Sequence, residues 1–170
     1  IGIEMRPAIV ESRKQYGHWE GDSVESKREQ NTCLRTLVER KSRLVQIKKI
    51  RYKTKELTSI ATIKLLGQYP KSLRRTLTQD NGTENAGHQE VTKAIGTKCY
   101  FAHPYRSSKR GTNEQTNGLI RYYFPKGTDF ATIPETEIKR VEYLLNNRPR
   151  KVLNYCTPQE VFNRGVALTC

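Results

Sequence analysis

Three carboxylates occupy positions that local chain chemistry does not demand. Asp22 lies inside a strand-like stretch, HWEGDSVE at 18–25, where propensity disfavours an acid unless solvent or a ligand receives it. Asp80 opens DNGTEN at the end of a second apolar stretch, and Asp-Asn-Gly is by itself a good turn sequence. Glu114 stands in KRGTNEQTNGLIRYYFPKG, at the first turn of a predicted helix, among Lys109, Arg110, Arg121 and Lys126. Each acid alone has an ordinary reading; a glutamate near a helix N-terminus gains about 0.3–1 kcal/mol from the dipole. Together they describe a site, because two strand ends and one helix start can converge at the edge of a sheet. Acids gathered there repel one another, and a divalent cation removes that cost. Hard oxygen ligands suit Mg²⁺ or Mn²⁺ rather than zinc. Two such ions about 3.5–4 Å apart activate a water or hydroxyl against a phosphodiester and stabilise its leaving oxygen. The neighbouring cations would grip phosphates while Glu114 holds metal.

The elements that must position these acids are legible in outline. Residues 18–25, 32–39 and 43–50 read as strands, with a hairpin at the polar Arg40-Lys41-Ser42. TKELTSIATIKLLGQYP switches to helical period, with Leu57, Ile60 and Ala61 as its apolar side, Thr54 as cap, and Gly67 and Pro70 as stops. A strand at 73–79, a short helix near 84–95 and a strand at 97–102 follow, then a helix from about Asn113 to Phe124. Thr132 and Glu135 stand in capping-box relation before another helix. Thr157, Pro158 and Glu160 repeat the device. The order βββαβαβα, then more helix, predicts an α/β domain on a mixed sheet.

The whole chain points to a polyanion. Its 170 residues suit one domain with a proper core, and 31 Lys plus Arg against 17 Asp plus Glu leave a formal net charge of +14. Nucleic acid is the expected partner; no stretch is apolar enough to span a bilayer, so a membrane partner is not expected. The four cysteines form no CxxC pair and the three histidines lack zinc-finger spacing, so neither structural zinc nor a disulfide framework is indicated and a reducing, cytoplasmic setting is the default.

Several residues around the acids carry two readings. His18 and Glu20 share the strand parity of Asp22 and could support it or meet DNA, although a satisfied histidine is the commoner case. Trp19 reads as core. On the helix after Glu114, Asn117 and Gly118 fall one turn on, with Arg121 beyond; Asn117 could reach a base or sugar, and Gly118 could admit a DNA backbone. Tyr122, Tyr123 and Phe124 read as partly core. Arg148, Arg150 and Lys151 surround Pro149 at a helix end, where they complement the dipole or bind phosphate.

The motifs GHWEGD, DNGTEN-AGHQE, YFAHPY, RGTNEQTNGLIRYYFPKGTDF and LLNNRPRKVLNYCTPQEVF resemble the catalytic domain of bacterial DDE transposases, the insertion-sequence-thirty family in particular, over nearly the whole chain. The resemblance implies a ribonuclease H-like fold shared with retroviral integrases. It makes Asp22, Asp80 and Glu114 the catalytic, metal-binding triad, and the 33 residues between Asp80 and Glu114 agree with the family spacing. Asn81 joins His18 and Glu20 as a supporting group. The resemblance also implies two Mg²⁺ or Mn²⁺ ions in the DNA-bound state, insertion-sequence ends and target DNA as partners, a homo-oligomer as the active assembly, and a bacterial, nucleoid-associated location. The activity expected is metal-dependent cleavage followed by strand transfer. A nuclease that only hydrolyses, and a decayed or domesticated copy that only binds DNA, remain alternatives. Residues 1–170 read as a single catalytic domain with a lead-in over about 1–16; the helix-turn-helix region that the family carries ahead of it is not read here, as expected of a fragment. Departures are local: Gln79 and Asn85 stand where the family shows aromatics, and Ser108-Lys109-Arg110-Gly111 replaces WERG.

Overall fold

The computed structural model describes residues 1–103 and 111–169. Five strands form one sheet: β1 (His18–Glu25), β2 (Cys33–Glu39), β3 (Val45–Ile50), β4 (Thr76–Gln79) and β5 (Lys98–Phe101), in the order β3-β2-β1-β4-β5. β1, β2 and β3 run antiparallel, whereas β4 and β5 join them in parallel. The mixed α/β sheet expected from the pattern is therefore present. Glu39 makes the β2–β3 hairpin: its buried carboxylate accepts from the backbone N–H of Gly17, Lys41 and Ser42 and from the Ser42 hydroxyl.

Helices cover both faces. α2 (Lys55–Gly67), α3 (His88–Ile95) and α6 (Pro158–Ala167) lie on one side, where Trp19, Leu37, Leu65, Leu66, Leu77, Val91 and Phe162 make a core. α4 (Gly111–Tyr123) and α5 (Glu135–Asn146) lie on the other, over Val24, Leu34, Val38, Ile47, Ile120, Phe130 and Val141. Residues 1–16 are more than a tether: they contain a short helix, α1 (Ile9–Ser12), bury Val10, and send Arg6 to the Thr78 hydroxyl at 2.9 Å.

Two local expectations change. Thr54 caps α2, but the helix buries Thr58, Ser59, Ala61, Thr62, Leu65 and Leu66 and leaves Ile60 exposed. Its inward face is partly hydroxylic because it covers the buried side chain of Arg35, whose Nε donates to the Thr62 hydroxyl. Thr132 does not cap α5; its hydroxyl donates to the Asp129 carbonyl, and Pro134 precedes the helix without a side-chain cap. At α6 both arms of the Thr157–Glu160 capping box form. Among the described residues no helix is long and apolar enough to cross a membrane.

Candidate active site

The parallel pairing of β1 with β4 matches His18 to Thr76, Trp19 to Leu77 and Glu20 to Thr78. Carried two residues further, that register brings Asp22 level with Asp80, just past the end of β4. Side-chain parity points both toward the face covered by α4 and α5. Two acids 58 positions apart thus become neighbours through a strand pairing that no local signal encodes.

Each aspartate is held by nearby donors. Asp22 Oδ1 accepts from the Ser23 N–H at 2.9 Å, and its Oδ2 accepts from Asn117 Nδ2 at 2.9 Å. Asp80 Oδ1 accepts from the Gly82 N–H at 3.0 Å and from Asn85 Nδ2 at 2.7 Å. Asn85, one of the departures from the family pattern, is therefore a buried ligand of the second acid. These bonds hold the carboxylates in fixed orientations, half-buried, with oxygen as the donor chemistry.

Glu20 sets the height of α4. It is wholly buried, pairs with Arg40, and accepts from the Asn113 backbone N–H at 3.0 Å. A carboxylate on β1 thereby satisfies an otherwise orphaned donor in the first turn of the helix and carries the negative charge that its dipole favours. Asn113 is buried against the sheet, Asn117 follows one turn on at Asp22, and Glu114, beside them on the helix, is exposed. Among the described residues no three His, Cys, Asp or Glu side chains are gathered closely enough to hold a metal ion. The donor set of Asp22 and Asp80 fits a hard divalent cation, while the third acid stands on the adjacent helix outside their contact.

On the opposite side of the sheet, directly beneath, lies Arg35 of β2, 1% exposed. Its Nη2 donates to Gln79 Oε1 at 2.8 Å, its Nε to the Thr62 hydroxyl at 3.2 Å, and its Nη1 to the Asp22 carbonyl at 3.4 Å. Gly21 makes the room, since a Cβ there would stand 2.7 Å from Nη2. Gln79, the other departure near Asp80, is thus the partner of a buried guanidinium. Burial lowers the Arg35 pKa, and the charges of Asp22, Asp80 and Glu84 oppose that shift. No sequence pattern marks Arg35; only the pairing of β2 with β1 could have found it.

The remaining expected residues divide. His18 is buried at the start of β1, bonded to Thr76 and Gln15 at 2.8 Å each, a satisfied core histidine. Asn81 Nδ2 donates to the Ala102 carbonyl at 3.4 Å. Asn117, expected to face DNA, is engaged with Asp22. Arg121 is partly withdrawn, with Nη2 on the Glu25 carbonyl at 2.8 Å. Lys126, Arg148 and Lys151 are exposed, and Arg150 Nη2 reaches the Leu145 carbonyl at 3.4 Å. Lys109 and Arg110, together with Ser108, lie outside the described residues.

A five-stranded sheet in this order, with an acid on β1, an acid after β4 and a helix packed over β1 and β2, places the chain in a structural class. The catalytic core domain of BIV integrase matches it with a TM-score of 0.67 at 21% identity, over 90% of this chain and 97% of that one. A chain of the simian T-cell lymphotropic virus intasome matches with a TM-score of 0.65 at 17% identity, over 86% of this chain and 54% of that one. The fold is ribonuclease H-like, of the retroviral-integrase type. No family model matches the sequence. By sequence the chain resembles insertion-sequence transposases over nearly its whole length. It is 45% identical to the transposase InsI of element IS30A from Escherichia coli, over 98% of this chain and 43% of that protein. It is 42% identical to the transposase of IS4351 from Bacteroides fragilis, over 96% and 50%. The chain spans about half the length of the curated relatives it matches.

Proposed function

We propose that this chain is the catalytic domain of a DDE transposase. It cuts DNA at insertion-sequence ends and joins the freed 3′-hydroxyl to target DNA by transesterification. The observation that supports the reading is the parallel pairing of β1 with β4, whose register leads from Glu20 and Thr78 on to Asp22 and Asp80, with the helix of Glu114 tied to Asp22 through Asn117. Asp22 and Asp80, joined by Glu114, would hold Mg²⁺ or Mn²⁺. When bound, the ions supply the charge that activates the attacking oxygen and stabilises the leaving one. The chain's own residues do the positioning. Ser23, Gly82, Asn85 and Asn117 orient the two aspartates, Glu20 anchors the helix that brings Glu114, and exposed cations such as Lys126 hold the phosphate backbone. A homo-oligomer would bring two such sites to paired element ends.

Gel assays on end-sequence duplexes with Mg²⁺ or Mn²⁺ test the reading. Strand transfer supports it. Cleavage without joining makes the protein a nuclease, and retention without cleavage, which the exposed place of Glu114 favours, makes it a DNA-binding copy. Asp22→Asn, Asp80→Asn and Glu114→Gln are each expected to remove most cleavage while DNA binding persists. A variant that cleaves near normally excludes that acid from the site.

A further inference from the structure

The buried guanidinium under the two aspartates has no ion-pair partner among the described residues. A charge moved from water to a protein interior is costly unless an opposite charge or a full set of hydrogen bonds compensates it. Arg35 has three neutral oxygens, from Gln79, Thr62 and the Asp22 backbone. The space beside it is small: a pocket of about 10 Å³ lined in part by Arg35, Thr58, Thr62, Gln79 and Glu84, at the lower limit for one water. What remains to compensate the charge is the field of Asp22 and Asp80 above it and of Glu84, which lines the same cavity.

The geometry is specific on this point. The guanidinium touches the residue before each aspartate: Gly21, whose missing side chain admits Nη2, and Gln79, whose amide oxygen receives it. β2 pairs with β1 so that Arg35 faces Ser23, and its side chain therefore projects from the sheet surface opposite Asp22. One cation sits under two anions, separated from them by the sheet backbone.

We propose that Arg35 is a positioning residue of the candidate metal site, an internal cation that holds Asp22 and Asp80 together without metal and weakens their affinity for a divalent ion. The inference rests on the reading of those acids as metal ligands. Its physical content is a competition. With the site empty, Arg35 offsets repulsion between the aspartates; with an ion bound, the same fixed charge repels the ion. Removing it should make the empty site less stable and the loaded site tighter.

The test compares wild type with Arg35→Met, Arg35→Lys and the double variant Arg35→Leu/Gln79→Leu, which replaces the polar pair by an apolar one. Mn²⁺ binding is measured by titration calorimetry on proteins shown to be folded by circular dichroism, and thermal melts are recorded in chelator and in Mn²⁺. Arg35→Met and the double variant are expected to bind Mn²⁺ at least about tenfold tighter, while Arg35→Lys stays near wild type. Mn²⁺ should also raise their melting temperatures more than that of wild type. A packing role alone would lower the melts equally in both conditions and leave affinity unchanged, and that result overturns the inference while leaving the metal reading intact. If neither wild type nor any variant binds Mn²⁺ differently from Asp80→Asn, the metal reading itself fails and the role of Arg35 falls with it.

Discussion

Asn117 on α4 donates a 2.9 Å hydrogen bond to the Asp22 carboxylate on β1, joining two residues 95 positions apart. The Asn117 Oδ1 stands 3.5 Å from the Thr36 hydroxyl, at the limit of a second bond that would fix which way the amide turns. The first of the candidate acids is thus oriented by the helix that carries the last of them. Asn117→Ala is expected to reduce metal-dependent cleavage by about tenfold, the effect of one hydrogen bond to a charged group. Binding to duplex DNA in chelator should stay within about twofold, because that affinity rests on phosphate contacts. Equal loss of both activities would make Asn117 a DNA contact instead.

Glu20 and Arg40 form a buried ion pair, and Glu20 also receives the Asn113 N–H. Removing one member leaves the other charge buried; Glu11, 3.4 Å from Arg40 Nη2, compensates only in part. Glu20→Gln should therefore cost about 3 kcal/mol of stability in urea titration. The double variant Glu20→Gln/Arg40→Met should cost less than the single one, because no orphaned charge remains.

Arg121 and Lys126, both candidate phosphate contacts, should behave differently. Lys126 is exposed, so Lys126→Ala should weaken binding to every duplex alike and flatten the salt slope by about one. Arg121 is committed to the carbonyls of Glu25 and Phe124 and stands over the Phe130 ring at 6.0 Å. Arg121→Ala should lower stability by roughly 1–2 kcal/mol and change the salt slope by less. Fluorescence anisotropy over a salt series, with a denaturation curve for each variant, separates the two.

His18 should give the fold a pH dependence above the range of the carboxylates. Burial, then the charges of Arg75, Arg40 and Arg6, depresses its pKa from the ordinary 6.5 to about 4. Between those values the unfolded chain binds a proton that the native protein refuses. Stability is therefore full above about pH 6.5 and falls as pH drops toward 4, by up to about 3 kcal/mol. His18→Gln should remove that slope whatever it does to stability at pH 7. A wild-type curve flat between pH 6.5 and 4.5 would contradict the assignment.

Local rules along the chain already specify part of this structure. Runs rich in β-branched residues and leucine mark β2 and β3, the Thr157-Pro158-Glu160 cap starts α6, and the turn after Asp80 ends a strand. The three acids each have an ordinary local reading, and the resemblance over nearly the whole chain is what singles them out as a candidate set. Which groups serve those acids depends on contacts between distant elements. Arg35 reads as an ordinary strand residue, Gln79 and Asn85 as departures from a pattern, and Asn117 as a DNA contact. Each acquires its role from a partner on another element: Gln79 from the arginine across two strands, Asn85 from the Asp80 carboxylate, Asn117 from Asp22. Helical and strand periods report which face a residue occupies, whereas contact between faces depends on strand register and helix docking, set by packing across the whole sheet. The same reason exposes Ile60 and buries Thr62: α2 covers a guanidinium that only the pairing of β2 with β1 puts there.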